Sequence, residues 1–418
     1  MKVAVVGLGY VGLPLACAFA EKGAEVRGVD ISTEKVSMLK KGKSYVGDIK
    51  SAQIKSLVKK GLLKVSTDFS IVKDCGCIAI CVPTPLRKTQ DPDISYIIAS
   101  CEKIRKHIKK GAVVVLESTT YPGTTREVVC EILERENFKA GKDFYLAFSP
   151  ERIDPSNKKW DVKNTPKVIG GINKASLEKA VFYYSRAIEN IVPASSLEAA
   201  EMVKLLENTF RSVNIGLINE MAQISDRLGL DVWEIVNLAK TKPYGFMPFY
   251  PGPGLGGHCI PIDPLYLSWK MKSLNFYTRF IDLASEINGA MPHFAVTKLA
   301  GILNGFAKSV KGSKITVLGV AYKKDVSDTR ESPSLEIISE LNGMGAEVRW
   351  YDDLITYGEV PGKRIKKLSA GILKKTDLVV IACDHSHFDY DFIVKNSKRI
   401  FDLRNTLSGR KSKKIFKL

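Results

Sequence analysis

The sequence predicts an α/β protein built from two Rossmann-like doubly wound parallel-sheet domains joined by a long central helix. Three observations carry that expectation. A glycine fingerprint, Gly7-x-Gly9-x-x-Gly12, follows an apolar pentapeptide and opens a helical stretch. The opening of the chain is echoed in outline from Lys314. Between the two copies, apolar residues recur at helical spacing from Leu197 to about Leu238.

The first unit starts with the strand Lys2–Val6, passes the glycine turn, runs as a helix to about Lys22 and returns as Glu25–Asp30, which makes one βαβ unit. Buried strands are predicted at Cys77–Val82, Ala112–Leu116 and Phe144–Phe148, with helical stretches between them, and the domain is assigned to residues 1–195. Ala200, Val203, Leu206, Phe210, Val213, Leu217 and Met221 then mark the long helix, with no proline or turn cluster to stop it. This central region, 196–300, is predicted to hold a dimer surface. The third unit, 301–418, repeats the first. Lys314-Ile-Thr-Val-Leu-Gly-Val-Ala-Tyr322 echoes Lys2-Val-Ala-Val-Val-Gly-Leu-Gly-Tyr10, and Gly23-Ala-Glu-Val-Arg27 recurs unchanged at Gly345–Arg349, each before an aspartate. Gly319 is followed by Val320, Ala321 and Tyr322, so this copy lacks the later glycines that cradle a dinucleotide pyrophosphate.

A chain of 418 residues, 45% hydrophobic and 26% charged, is long enough for two or three domains. Its net charge of +18 raises the question of a polyanionic partner. The basic residues are spread along amphipathic stretches, with a dense cluster only from Arg410 to Lys417, so nucleic acid is not expected. The eight cysteines show no Cys-x-x-Cys pairing and sit mostly in apolar runs. They read as reduced thiols of a cytoplasmic protein; a metal at Cys75, Cys77 and Cys81 is the disfavoured alternative, and no metal is expected. Val3–Ala20 is uncharged like a signal peptide, but Gly7, Gly9, Gly12 and Pro14 break it as a strand, turn and helix would, so no targeting or membrane segment is expected.

In its βαβ context the fingerprint is informative: the glycines allow backbone to approach a pyrophosphate at a helix N-terminus, and Asp30, ending the next strand, can accept the ribose hydroxyls, which favours NAD over NADP. A second glycine-rich segment, Pro251–Pro264, precedes and encloses Cys259 and Asp263. Its backbone amides can depress a thiol pKa or hold an oxyanion, which makes Cys259 a candidate nucleophile where a lone cysteine elsewhere is a small buried hydrophobe. Lys204, Asn208 and Arg211 share one face of the long helix, either as a solvated stripe or as groups offered to a reacting oxygen. Ser149-Pro-Glu151-Arg152 lies past the C-terminal end of a predicted strand, where open α/β sheets bind ligands; Glu151 is a base or an ion-pair partner. His258, beside the candidate nucleophile, either tunes it or packs.

With these residues assembled, the chain resembles the nucleotide-sugar 6-dehydrogenase family, that of the UDP-glucose and UDP-N-acetylmannosamine enzymes, over nearly its whole length. The shared pattern is the glycine fingerprint, Pro83-Thr84-Pro85, Ser118-Thr119, Ser149-Pro150-Glu151, Lys204 with Asn208, Gly256-Gly257-x-Cys259 with Asp263, and Lys323 with Asp328-Thr329-Arg330-Glu331-Ser332. The resemblance implies a four-electron oxidation of a UDP-sugar C6 alcohol to a uronic acid with two NAD. Lys204, Asp263 and a water would manage the hydroxyl proton, Cys259 would carry a thiohemiacetal and then a thioester, Glu151 would activate the hydrolytic water, and Thr119 and Asn208 would hold water and the oxyanion. It also implies that Gly7, Gly9, Tyr10, Val11, Gly12, Asp30, Lys35, Thr84, Thr119 and Arg330 surround NAD. Glu151, Arg152, Ile153, Lys204, Asn208, Arg211, Gly256, Tyr322, Lys323 and Arg404 would surround the sugar nucleotide, with the uridine diphosphate in the C-terminal sheet. Members acting on glucose carry an arginine before the glycine loop that reaches a neighbouring subunit; here the segment reads Lys242-Pro-Tyr-Gly-Phe246. Leu116–Thr124 and Gly257–Asp263 are most similar to the UDP-N-acetylglucosamine branch, with UDP-N-acetylmannosamine and UDP-glucose as the alternatives. A two-electron hydroxyacid dehydrogenase, which needs the lysine but not the cysteine, and a non-catalytic nucleotide sensor are the competing classes.

Overall fold

The computed structural model describes the chain apart from residues 88, 90, 154–156, 158, 258 and 357, so His258 lies outside the described residues. It divides into two compact units, one of residues 1–207 with 265–276, the other of residues 208–264 with 277–418.

The first unit carries an eight-stranded sheet of β1 (Lys2–Val6), β2 (Glu25–Val29), β3 (Leu63–Ser66), β4 (Cys77–Ile80), β5 (Val113–Leu116), β6 (Tyr145–Phe148), β7 (Lys167–Gly171) and β8 (Ile191–Pro193). The order is β3-β2-β1-β4-β5-β6-β7-β8, and every pair is parallel except β6 with β7. Strand β1 shows why the residues choose this arrangement. Val3 and Val5 pack into one core with Leu13, Leu15 and Phe19, while Ala4 and Val6 pack into another with Ile97, Ile104 and Leu197. A strand apolar on both faces is stable only where helices cover both, which is the doubly wound arrangement.

The second unit holds a wholly parallel sheet of β9 (Lys314–Leu318), β10 (Glu347–Tyr351), β11 (Lys363–Arg364), β12 (Leu378–Ile381), β13 (Ile400–Asp402) and β14 (Ile415–Lys417), in the order β11-β10-β9-β12-β13-β14. The internal repeat is structural as well as textual: Lys2 pairs with Glu25 in register, and Lys314 with Glu347. The basic tail is part of this sheet. Lys417, in β14, bonds Asp231 at 2.8 Å, and Lys414 Nζ donates to the Ser397 carbonyl at 3.1 Å.

The long helix runs over Leu197–Leu228, ten residues short of the predicted end at Leu238. The stop is chemical. Gly229 adopts φ +69°, Leu230 N–H donates to Ser225 O at 2.8 Å, and Gly229 N–H to Asp226 O at 3.2 Å, which closes the helix with a left-handed glycine cap. Asp231 then caps a new helix, Val232–Ala239, by accepting from Trp233 N–H at 2.9 Å. Among the described residues no helix is long and apolar enough to cross a membrane.

Candidate active site

The glycine turn in the first unit is built for close backbone approach. Gly7 has φ +88°, and a Cβ there would stand 2.6 Å from the Cys81 carbonyl oxygen; one on Gly12 would overlap the Gly7 carbonyl. A Cβ on Gly9 would meet nothing within 4 Å, so the outer side of the turn is open. The helix Gly12–Glu21 starts at Val11 with no side-chain cap, beside an exposed Tyr10, so its first-turn amides suit an anion. Asp30, buried at the end of β2, accepts from Leu8 N–H and Ser32 N–H, both at 2.9 Å, with Lys35 Nζ at 3.9 Å. Thr84 is buried and its carbonyl accepts from Tyr266 O–H at 2.5 Å; Thr119 is half-buried in the segment after β5.

Glu151 is buried just beyond β6. Its Oε1 accepts from Arg152 N–H at 2.7 Å and Ile153 N–H at 2.9 Å, and its Oε2 lies 3.1 Å from Lys167 Nζ. Arg152 itself pairs with Glu207 at 2.5 Å and donates to Pro166 O at 2.8 Å. Lys167, at the start of β7, also lies 2.7 Å from Glu117 Oε2, and Tyr184 O–H donates to Glu117 Oε1 at 2.5 Å. Burial works against the charge on Lys167, but the two carboxylates outweigh it and hold its ammonium above the usual lysine range. Burial raises the Glu117 carboxyl even against that cation. Sequence reasoning missed Lys167, Glu117 and Tyr184. It missed Glu201 too, on the long helix with half-buried Lys204: its carboxylate accepts from Gly123 N–H at 2.6 Å and Thr125 N–H at 2.9 Å, and burial pushes it up to about 7.

In the second unit, Asn208 Nδ2 donates to Asp263 and Arg211 donates to Asn208 Oδ1, so the face predicted for the long helix is shared by these groups. Asn208 and Asp263 are both buried, at 2% exposure. Asp263 N–H donates to the Cys259 carbonyl at 2.9 Å, which ties the cysteine loop to the start of the helix Asp263–Lys272. Gly257 N–H donates to Arg330 O at 3.0 Å and the glycine lies against the Tyr322 ring, with half-buried Gly256 beside it. Lys323 is half-buried next to Tyr322, and Arg330 pairs with Asp328 at 2.6 Å. Arg404 Nε donates to Ala382 O at 3.0 Å; its side chain lines a cleft of about 370 Å³ with Trp233, Tyr250 and Asn405.

Cys259 is exposed, whereas burial pushes the thiols of Cys17 and Cys101 up to about 12 and that of Cys75 up to about 11. A nucleophilic thiolate is correspondingly hard to form at those three. Among the described residues, Asp325, His385 and His387 are spaced to hold a metal ion. Yet His385 Nδ1 accepts from Asp325 N–H at 2.9 Å and Nε2 lies 3.0 Å from buried Asp352, so both ring nitrogens already serve to tie the loop to the sheet.

A dinucleotide-binding turn in one sheet, a second nucleotide-type sheet and a cysteine loop define an NAD-dependent dehydrogenase. Comparison with known proteins names the family. Residues 1–188, 198–290 and 316–409 match the NAD binding, central and UDP binding domains of the UDP-glucose/GDP-mannose dehydrogenase family. A UDP-N-acetyl-D-mannosamine dehydrogenase of Methanococcus maripaludis is 35% identical, covering 97% of this chain and 93% of the relative. A UDP-N-acetyl-D-glucosamine 6-dehydrogenase of Pseudomonas aeruginosa is 34% identical, covering 93% of this chain and 91% of the relative. The structure of a UDP-D-ManNAc dehydrogenase from Pyrococcus horikoshii superposes with a TM-score of 0.90 at 34% identity, over 100% of this chain and 99% of that one. The chain belongs to the UDP-glucose/GDP-mannose dehydrogenase family and is an NAD-dependent UDP-sugar dehydrogenase.

Proposed function

We propose that the chain oxidises the C6 alcohol of UDP-N-acetylglucosamine to the uronic acid through a covalent intermediate on Cys259. The observation that carries the reading is the tie between Cys259, Asp263 and Asn208, one cysteine loop joined to a buried carboxylate and a buried amide. The open turn at Gly9, the uncapped helix behind Tyr10 and Val11, and Asp30 with Lys35 fit NAD; by the family pattern Thr84, Thr119 and Arg330 are read as further NAD-binding residues. When bound, NAD supplies the hydride acceptor for both oxidations.

The chain's own groups do the rest. Lys204 and Asp263, with a water, take the proton of the 6-hydroxyl. The Cys259 thiolate adds to the resulting aldehyde, and oxidation of that thiohemiacetal leaves a thioester. Asn208 is oriented from both ends, its amide donating to Asp263 and its carbonyl receiving Arg211, which leaves its second N–H for the oxyanion. Glu151 takes a proton from the water that releases the acid, with Thr119 holding that water. Arg152, Ile153, Arg211, Gly256, Tyr322, Lys323 and Arg404 contact the UDP-sugar. The work divides over segments 1–195 for NAD, 196–300 for the cysteine loop and subunit pairing, and 301–418 for the uridine diphosphate. Exposed Phe210, Leu217 and Ile224 recur every seven residues on the long helix, a stripe suited to a second copy of the chain in a homodimer.

The segments Leu116–Thr124 and Gly257–Asp263 favour the N-acetylglucosamine epimer. The likeness to the Pyrococcus horikoshii protein favours UDP-N-acetylmannosamine as the second reading. A panel of UDP-GlcNAc, UDP-ManNAc, UDP-Glc and UDP-GalNAc ranked by kcat/KM decides between them. UDP-GlcNAc is expected to lead, and a lead of ten-fold or more for UDP-ManNAc, about 1.4 kcal/mol, would reverse the choice of epimer.

A further inference from the structure

The mechanism uses Glu151 as a base but leaves unused the buried cation beside it. Glu151 is 7% exposed and Lys167 4%, both inside a first unit whose sheet is covered on both faces. An ammonium placed there without partners is costly, so its partners define its role. Among the described residues it has two hydrogen-bonding partners: Glu117 Oε2 at 2.7 Å and Glu151 Oε2 at 3.1 Å. The group therefore holds one cation between two carboxylates, and Tyr184 caps the far oxygen of Glu117 at 2.5 Å.

We propose that Lys167 is the positioning residue of the hydrolytic step: its ammonium pairs with the Glu151 carboxylate and aims it, and Glu117 with Tyr184 sets how much of that charge Glu151 receives. The inference rests on the reading of Glu151 as the hydrolytic base. A carboxylate offers about four acceptor directions, and Arg152 N–H, Ile153 N–H and Lys167 take three, which fixes the plane of the group and leaves one direction for water. In the step itself, a water O–H bond breaks toward Glu151 as the water oxygen bonds the thioester carbon. The carbon–sulfur bond then breaks and Cys259 leaves as the thiolate. Electrons are conserved and no redox partner is involved.

Among the described residues, the charged and titratable groups around Glu151 are Lys167 from β7, Glu117 from the end of β5, Tyr184 from the helix Lys174–Tyr184, Cys81 beyond β4, and the Arg152–Glu207 pair. Of these, Lys167 bonds the second carboxylate oxygen directly. Removing the cation and removing the competing carboxylate must therefore act in opposite directions. A purely structural role would lower activity or stability with no such sign.

The test is a single-turnover measurement of acid release against pH, with intact-mass detection of acyl-enzyme, using NAD and the UDP-sugar selected by the panel. In Lys167→Met the limb governed by Glu151 is expected to move at least about one pH unit to the alkaline side, so that below both limbs acid release falls about ten-fold and acyl-enzyme accumulates there. Lys167→Arg should restore most of the rate. In Glu117→Gln, which keeps the shape, the limb should move to the acid side. An unmoved limb in a folded Lys167→Met, or an alkaline shift in Glu117→Gln, would overturn the proposal, and the second arm decides if Lys167→Met does not fold. Glu151→Gln is the control: if that variant releases acid at the wild-type rate, it is the hydrolytic reading that fails, independently of Lys167.

Discussion

The two sheets begin alike and then part. Gly7 and Gly319 adopt φ +88° and +78°, and donate to Val29 O and Tyr351 O at 2.8 and 2.9 Å. A Cβ on either would press on a backbone oxygen, Cys81 O at 2.6 Å or Cys383 O at 2.5 Å. The next N–H, of Leu8 or Val320, donates to an aspartate at 2.9 Å, Asp30 or Asp352. From there the copies diverge. In the first the helix starts at Gly12; in the second the chain runs on until Pro333. Asp30 accepts from two backbone amides, Leu8 and Ser32. Asp352 accepts from Val320 and Ala321 on Oδ2, which also faces His385 Nε2 at 3.0 Å, and from Leu354 on Oδ1. A glycine and an aspartate thus build the same turn twice, but the second aspartate is also committed to Ala321 and to the His385 loop, which the first has no counterpart for.

The comparison can be broken at the glycines. Gly7→Ala is expected to weaken NAD binding by 100-fold or more, about 3 kcal/mol, because both φ and the Cys81 contact forbid the methyl group. Gly319→Ala, strained in the same way, should weaken UDP binding while NAD affinity stays within about two-fold. Calorimetry with each ligand on each variant checks this, and equal loss of NAD affinity in both would erase the distinction.

A smaller effect separates the aspartates. Asp352→Asn should cost about 2 kcal/mol of unfolding free energy by setting an amide N–H against buried donors. Burial opposes the charge on Asp352, but the His385 hydrogen bond and the Val320 and Ala321 amides outweigh it and hold the carboxyl below the usual aspartate range. Its stabilisation is therefore complete above the ordinary value of 3.8 and is lost as pH falls below it. Denaturant midpoints of wild type and Asp352→Asn should accordingly converge on going from pH 6 to pH 3; a constant gap would contradict the ionic account. Asp30→Ser gives the smallest change: about a ten-fold loss of the preference for NAD over NADP, near 1.4 kcal/mol, read as the ratio of the two kcat/KM values.

Much of this was legible beforehand, for physical reasons. The strands β1, β2, β9 and β10 were readable because the repeat writes a similar strand, a glycine and an aspartate twice. The end of the long helix was misplaced because apolar spacing continues across Gly229 and Asp231, although a glycine followed by a capping aspartate was the available signal. Lys167 and Glu117 were invisible because each borders an apolar strand and reads alone as an exposed terminus; pairing across fifty residues of sequence appears only when β5 and β7 are in place. Charges at the ends of strands buried on both faces must find partners, and that rule could have flagged both.

The central claim is that the thiol of Cys259 carries the substrate from the first oxidation to the second. Its most direct test counts NADH formed per UDP-sugar consumed, in wild type and in Cys259→Ser. Two NADH per uronic acid in wild type, with no uronic acid from Cys259→Ser while NAD and UDP-sugar still bind, is the predicted result. One NADH per sugar in wild type, or uronic acid formed at the wild-type rate by Cys259→Ser, would contradict it.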